Sequence, residues 1–385
     1  MKKGLAVFYD PHNVYQFLWY YCTYGKDVEW NALCLPNSYK GEYLSPVCRN
    51  LGLFKNIYTD ANPFDALPVV KKLSLFVKMF VYALFLQQKR FAKKIISSYI
   101  GKVDFDTAVV LTDVGFVSGM FCLFGKEKEI VILEDGVGDY LERKYSNIFS
   151  HAHNFFDVQG FVLSVLGYSN VGHYFPLKTT KYCIKFCSHP DKMLYKKYKC
   201  MERLFDMTYT DSLEFQRLLE IVYPNINKYF QEKVEVILFS TPLSDYVSDV
   251  SPFIVGIEDF VKKNFSSIIL KRHPRDKSVY NFGDSVKVKE IDQKIPAEVL
   301  LPFIKQTKIF FFANSSINLY MASFDYRPSF FYFDGLLEKN KSERNILSQY
   351  MKKDIFIKRL EWFGHEPNII VIDRSTSLPI TTEIY

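Results

Sequence analysis

Apolar residues follow two alternating rhythms along the first 130 or so positions. Residues 5–9 form a short unbroken apolar run, as a strand covered on both faces does, and residues 14–21 are an aromatic-rich segment of helical length. Another short apolar run spans 30–35. A long helix is predicted over 67–98, then a strand over 107–112, a glycine-containing helix over 115–124 and a strand over Glu129–Leu133. Alternation of this kind predicts a parallel, doubly wound α/β sheet. From about 137 to 232 the rhythm is lost in a stretch rich in Tyr, Lys, His and Asn, apart from a short strand-like run at 182–186. It resumes with strands at 234–239, 267–270, 286–291, Lys308–Phe312 and Ser329–Phe333, and with helices near 252–263, from Ala297 and from Ser316.

Two such series in a chain of 385 residues predict two Rossmann-like domains facing across a cleft, residues 1–232 and 233–385. No GxGxxG fingerprint is present. In open sheets of this class ligands sit beyond the carboxyl ends of the strands, so the strand ends are where chemistry is expected.

Three strand ends are chemically loaded. After Leu133 come Glu134, Asp135 and Gly136, with Asp139 beyond. After Leu270 come Lys271, Arg272, His273, Pro274 and Arg275. After Phe312 the tandem Ser315 and Ser316 opens a helix, offering hydroxyls, free backbone N–H groups and the positive end of the helix dipole, which together suit a phosphate. In the second cluster a fixed charge stands beside a titratable imidazole, and the proline stiffens the turn. Each also has an ordinary reading: an acidic turn, a solvated basic turn, a helix N-cap.

Composition narrows the function classes. A 48% apolar, 17% aromatic chain is globular, and its net charge of +7 suits an anionic small substrate, an acidic membrane surface or nucleic acid alike. The basic residues are scattered and no recognition motif interleaves them with aromatics, so nucleic-acid binding is not expected. Seven cysteines form neither a disulfide framework nor a zinc site and read as reduced thiols of a cytosolic protein. Asp104-Phe105-Asp106 has the Asp-x-Asp form of metal-using glycosyltransferases but precedes its strand, so no metal is expected there.

Taken in order, Glu134-Asp135-Gly136, Lys271-x-His273-Pro274 and Ser315-Ser316 resemble the motif set of bacterial sialyltransferases, both the lipooligosaccharide sialyltransferases of glycosyltransferase family 52 and the capsule polysialyltransferases. The resemblance covers roughly residues 107–325. It implies a glycosyltransferase B architecture with the acceptor on the first domain and CMP-sialic acid on the second. His273 would contact and acidify the CMP phosphate, Ser315 and Ser316 would hold its oxygens, and Lys271 would lie by the nucleotide. Glu298 would by its spacing be a ribose ligand, and Glu134 or Asp135 would be the general base, with Asp245 and Asp249 as alternatives. The implied reaction is inverting and metal-free, with no cofactor beyond the donor substrate and with a cell-surface glycan, lipooligosaccharide or capsule, as acceptor. Rivals are a same-fold transferase using another nucleotide sugar and a non-catalytic envelope-assembly protein.

One segment bears on location. Within 67–98, Leu73, Phe76, Val77, Phe80, Val81 and Leu84 share a helical face, with Lys71, Ser74 and Lys78 opposite. Lys89, Arg90, Lys93 and Lys94 follow. The longest uncharged stretch, residues 79–88, is far short of the roughly 20 residues a spanning helix needs. The pattern fits a core-facing helix, a subunit contact in a homodimer, or a helix lying on an anionic leaflet. The last is the expectation, placing the protein on the inner face of the cytoplasmic membrane.

Overall fold

The computed structural model describes residues 1–9, 11–35, 41–59, 69–110, 116–125, 127–133, 166, 168, 181–184, 201–203, 212–232, 236–245, 249–273, 275–293, 295–304, 308–312, 329–333, 368–372 and 382–384. The chain divides into two units, Met1–Lys185 with Pro190–Val222, and Tyr223–Tyr385 with Phe186–His189.

The first unit is built on seven parallel strands: β1 Lys2–Phe8, β2 Val28–Cys34, β3 Phe54–Thr59, β4 Thr107–Val110, β5 Glu129–Leu133, β6 Lys181–Ile184 and β7 Met201–Arg203. Their order is β3-β2-β1-β4-β5-β6-β7. Parallel strands covered on both faces must be apolar almost throughout, and residues 4–8 of β1, all of β4 and residues 130–133 of β5 are buried. Around the sheet lie helices α1 Pro11–Tyr20, α2 Gly41–Leu51, α3 Val69–Leu84, α4 Gln88–Ile100, α5 Phe116–Cys122 and α6 Leu213–Val222. Phe17 of α1 meets Phe8, Trp30 and Phe54 at ring separations of 5.1–5.4 Å, and Tyr15 meets Phe215 of α6 at 5.6 Å.

The second unit repeats the plan. Its strands are β8 Val236–Phe239, β9 Ser267–Lys271, β10 Lys287–Ile291, β11 Lys308–Phe312, β12 Ser329–Phe333, β13 Asn368–Ile372 and β14 Thr382–Ile384, in the order β10-β9-β8-β11-β12-β13-β14. All pair in parallel except β13 with β14. Helix α7, Ser251–Asn264, follows β8 with Pro252 in its first turn. The α/β class with two Rossmann-like sheets is as the alternation predicts.

Three segments differ from that expectation. The stretch 137–232 is not wholly irregular: besides β6, at the expected strand-like run, it supplies β7 and α6, and a strand of three residues is too short to show a period. The segment from Ala297 is a 3₁₀ helix, Ala297–Phe303, with Pro302 inside it. The helix expected over 67–98 is two helices. Ala83 and Ala92 are both buried, yet nine residues make two and a half turns and would point them in opposite directions on one continuous helix. A turn at Phe85, Leu86 and Gln87 resolves the conflict, with Gln87 N–H bonded to Tyr82 O (2.8 Å) and Leu86 in the left-handed region at φ 54°. The helix expected from Ser316 lies outside the described residues.

Gly4 sits in the centre of β1 opposite Trp30, whose indole N–H donates to Gly25 O (2.8 Å). A Cβ at position 4 would fall 2.5–2.7 Å from the Trp30 ring and the Val28 side chain. Gly4→Ala is therefore expected to destabilise the protein by about 1–3 kcal/mol in denaturant unfolding, through overpacking between two central strands.

Candidate active site

In the second sheet the strand order reverses beside β8: the chain steps outward to β9 and β10, then returns to the other side of β8 as β11. Such a switch point leaves a crevice at the carboxyl ends of the strands. The register brings three strand ends level, since Phe239 of β8 pairs with Lys271 of β9 on one side and with Phe311 of β11 on the other. Beyond β8, Ser240 N–H continues the ladder to Lys271 O (3.0 Å), and the buried Ser240 hydroxyl oxygen accepts from the His273 backbone N–H (2.9 Å). Ser240 thereby ties the His273 backbone to the sheet.

The His273 side chain is half-buried, and its Nδ1 accepts from Arg275 N–H (3.2 Å). With Nδ1 accepting, the neutral ring carries its proton on Nε2. His273 O in turn accepts from Asp276 N–H (2.9 Å). Asp276 is buried and takes Ser278 N–H on Oδ1 (2.9 Å) and the Tyr280 hydroxyl on Oδ2 (3.0 Å). Burial and the Asp276 carboxylate push the Tyr280 phenol well above its usual range, so it stays a donor. Arg272 bridges the same loop, donating to the backbone oxygens of Asp276 (3.3 Å) and Ser278 and pairing with Glu290 (3.5 Å).

Lys271 is 3% exposed. Its ammonium donates to Arg272 O (2.9 Å) and Gln293 O (3.3 Å). Burial pushes its pKa down from 10.5 to about 8, against the opposing pull of Glu298, Asp292 and Glu290. Glu298 is itself buried, in the first turn of Ala297–Phe303. The structure thus gathers Lys271, His273 and the field of Glu298 about one strand end. A buried lysine of this kind is a cost to folding that functional sites commonly carry.

Glu134 and Asp135, which follow β5 directly, lie outside the described residues, as do Pro274, Ser315 and Ser316, the serines three and four positions beyond the end of β11. Asp245 closes a 3₁₀ turn, Leu243–Asp245. Asp249 is exposed, and its carboxylate accepts Ser251 N–H (3.0 Å) from one residue before Val250, the N-cap of α7.

Sequence reasoning missed several polar groups. Ser240 and Asp276 carry no motif of their own; only the pairing of β8 with β9 reveals the first, and the second was hidden in a run read as basic. At the switch point of the first sheet, between β1 and β4, the Tyr9 hydroxyl and Ser118 Oγ lie 2.8 Å apart, and Tyr9 N–H donates to Asn13 Oδ1 (2.8 Å). Asn13, Gln16 and Ser118 are buried. Asn13 and Gln16, polar positions three apart in the largely apolar α1, were the available signal.

Asp104 and Asp106 are placed at the amino end of β4. Lys3 Nζ donates to Asp104 (2.6 Å) and Lys3 N–H to Asp106 (2.9 Å), and the ammonium holds the Asp104 carboxyl below its ordinary range. No group of three His, Cys, Asp or Glu suited to a metal occurs among the described residues.

Two Rossmann-like sheets in one chain are the plan of the glycosyltransferase B fold. The chain belongs to the alpha-2,8-polysialyltransferase family, whose sequence model matches residues 61–332, and it is accordingly a sialyltransferase-like enzyme. Among curated proteins nothing matches the chain. Solved structures similar to it include the UDP-GlcNAc 2-epimerase of Methanocaldococcus jannaschii, at 11% identity, TM-score 0.48, covering 86% of this chain and 83% of that one. MurG of Acinetobacter baumannii is 9% identical at TM-score 0.45, over 100% and 88% of the two chains. Arabidopsis thaliana UGT89C1 complexed with UDP-L-rhamnose is 9% identical at TM-score 0.48, over 98% and 86%.

The buried lysine makes a stability prediction. Between its folded value near 8 and its unfolded value of 10.5 the unfolded chain binds the extra proton, so folding stability rises with pH across that window. Relative to Lys271→Met, the wild type is expected to gain up to about 3 kcal/mol between those two pH values, read from paired urea titrations; parallel pH profiles would show that Lys271 is not held near 8.

Proposed function

We propose that the protein is an inverting sialyltransferase that moves sialic acid from CMP-sialic acid to a terminal sugar of a cell-surface glycan, lipooligosaccharide or capsule, without a metal ion. Family membership carries this reading. The Lys271–His273 strand end at the second switch point agrees with it.

In this mechanism Glu134, at the carboxyl end of β5, takes the proton of the acceptor hydroxyl, with Asp135 beside it in sequence. The hydroxyl oxygen forms the new bond to the anomeric carbon as the bond to the CMP phosphate breaks, and the electron pair leaves with the phosphate oxygen. His273 donates to that phosphate from Nε2, while Ser315, Ser316 and the backbone N–H groups that follow hold its remaining oxygens. Lys271 adds positive potential from below the loop, and Glu298 is the ribose ligand. No step calls for a metal, and the Asp-x-Asp pair is taken up by Lys3. The buried free cysteines fit a reducing cytoplasm, where nucleotide sugars are used.

The test is transfer from CMP-sialic acid to an array of galactose- and sialic-acid-terminated acceptors by the purified protein in the presence of a chelator. Transfer is expected, and CMP but not UDP should raise the melting temperature. A rise with UDP alone points to another nucleotide sugar, and CMP binding with neither transfer nor donor hydrolysis to a non-catalytic role. Glu134→Gln should lower transfer by about two to four orders of magnitude with CMP affinity nearly intact. His273→Ala should depress turnover more than affinity, and Ser315→Ala with Ser316→Ala should weaken both. Calorimetry finding full CMP affinity in the double serine variant would remove the phosphate-site assignment.

A further inference from the structure

Helices α3 and α4 form a hairpin whose inner side is well anchored. Met79, Ala83, Phe91, Ala92, Ile96 and Ile100 are buried. The Tyr168 hydroxyl donates to Met79 O (2.6 Å), Gln88 Nε2 donates to Leu166 O (3.1 Å), and Tyr82 packs on Phe91 at 5.2 Å. With that side fixed, the apolar stripe is turned outward: Val70, Leu73, Val77, Phe80 and Val81 are exposed along α3. Phe76, expected on the same face, is half-buried, and Lys71, Ser74 and Lys78 are exposed along with the stripe. The hairpin's apolar face is therefore not a core face.

The turn concentrates the effect. Leu84, Phe85 and Leu86 are 64, 69 and 85% exposed, and Leu86 holds a left-handed backbone that is unfavourable for a residue with a side chain. Three large apolar groups presented together at one tip are a poor arrangement for water.

Charge decides between the occupants. Residues 69–100 carry seven Lys and Arg and no Asp or Glu. Setting these seven aside from the chain's 49 leaves 42 basic against 42 acidic residues, so the whole formal net charge of the protein resides in this hairpin. Lys89 is taken by Glu127, but Lys71, Lys78, Arg90, Lys93 and Lys94 are exposed. A second copy packed on this face would set like charges against like, whereas an anionic lipid surface neutralises them and accepts the apolar tip at once.

We infer that the α3–α4 hairpin is a membrane-docking element, in which Leu84, Phe85 and Leu86 enter an anionic leaflet while Lys78, Arg90, Lys93 and Lys94 meet its headgroups. The assignment stands on exposure and charge and does not depend on the donor or acceptor.

The full-length protein should sediment with phosphatidylglycerol–phosphatidylcholine vesicles at low salt, be released by high salt, and ignore pure phosphatidylcholine vesicles. In Phe85→Trp, the emission in excess of wild type should shift to shorter wavelength on binding. Arg90→Gln with Lys93→Gln and Lys94→Gln should weaken binding roughly 100-fold, at about fivefold per basic residue. Phe85→Ser with Leu86→Asn should weaken it roughly 10- to 100-fold while melting no lower than wild type, since asparagine tolerates the left-handed backbone. The proposal is overturned if the wild type ignores anionic vesicles at low salt or if the new tryptophan's emission is unmoved on bound protein. It is overturned equally if the protein is a dimer that the Phe85 and Leu86 changes convert to a monomer, which would assign the face to a second copy.

Discussion

The reversal of strand order beside β8 is the constraint from which the site follows. A parallel sheet wound outward in one direction and then the other must leave two neighbouring strands whose following segments diverge, and the gap between them is the only place at that edge not roofed by a connection. In the second unit those neighbours are β8 and β11, and β9 flanks β8 on the other side. Ser240 and His273 are next to one another because the sheet register makes them so, and the serine hydroxyl then converts that adjacency into a fixed backbone position. The same reversal in the first unit brings Tyr9 beside Ser118.

Lys271 and Asp276 show how a loop rich in charge is held without solvent. Both are buried, and both have their polar atoms bonded: the lysine to one carbonyl of the loop and to Gln293 O beyond β10, the aspartate to a backbone N–H and a phenol of the loop. Apolar residues of similar size would serve stability at lower desolvation cost. What these two sets of hydrogen bonds add is positional order on either side of His273.

Much of the fold was legible because parallel strands announce themselves as unbroken apolar runs, and β1, β5, β8 and β9 do so. Strands such as Met201–Arg203, three residues long and largely polar, have no such signature and exist through their neighbour's hydrogen bonds. The break in the α3–α4 region was invisible for a different reason. No glycine or proline marks it, and the turn arises from the need to bury Ala83 and Ala92 on the same side. At the site, Lys271 and His273 were readable as residue types at a strand end, but Ser240 becomes meaningful only when β8 is known to lie beside β9, a fact of tertiary pairing that no local pattern carries.

In both units the first strand made is an interior strand of the finished sheet, the third of seven in order. β1 waits for β4, about a hundred residues later, and β8 for β11, some seventy residues later, before its second edge is covered. During synthesis each sheet therefore grows from an interior strand, first to one side and then to the other, and that strand's second edge is long without a partner. Chain shortened from its beginning would lose the template of a whole sheet, whereas loss of β14 would remove one antiparallel strand at the margin.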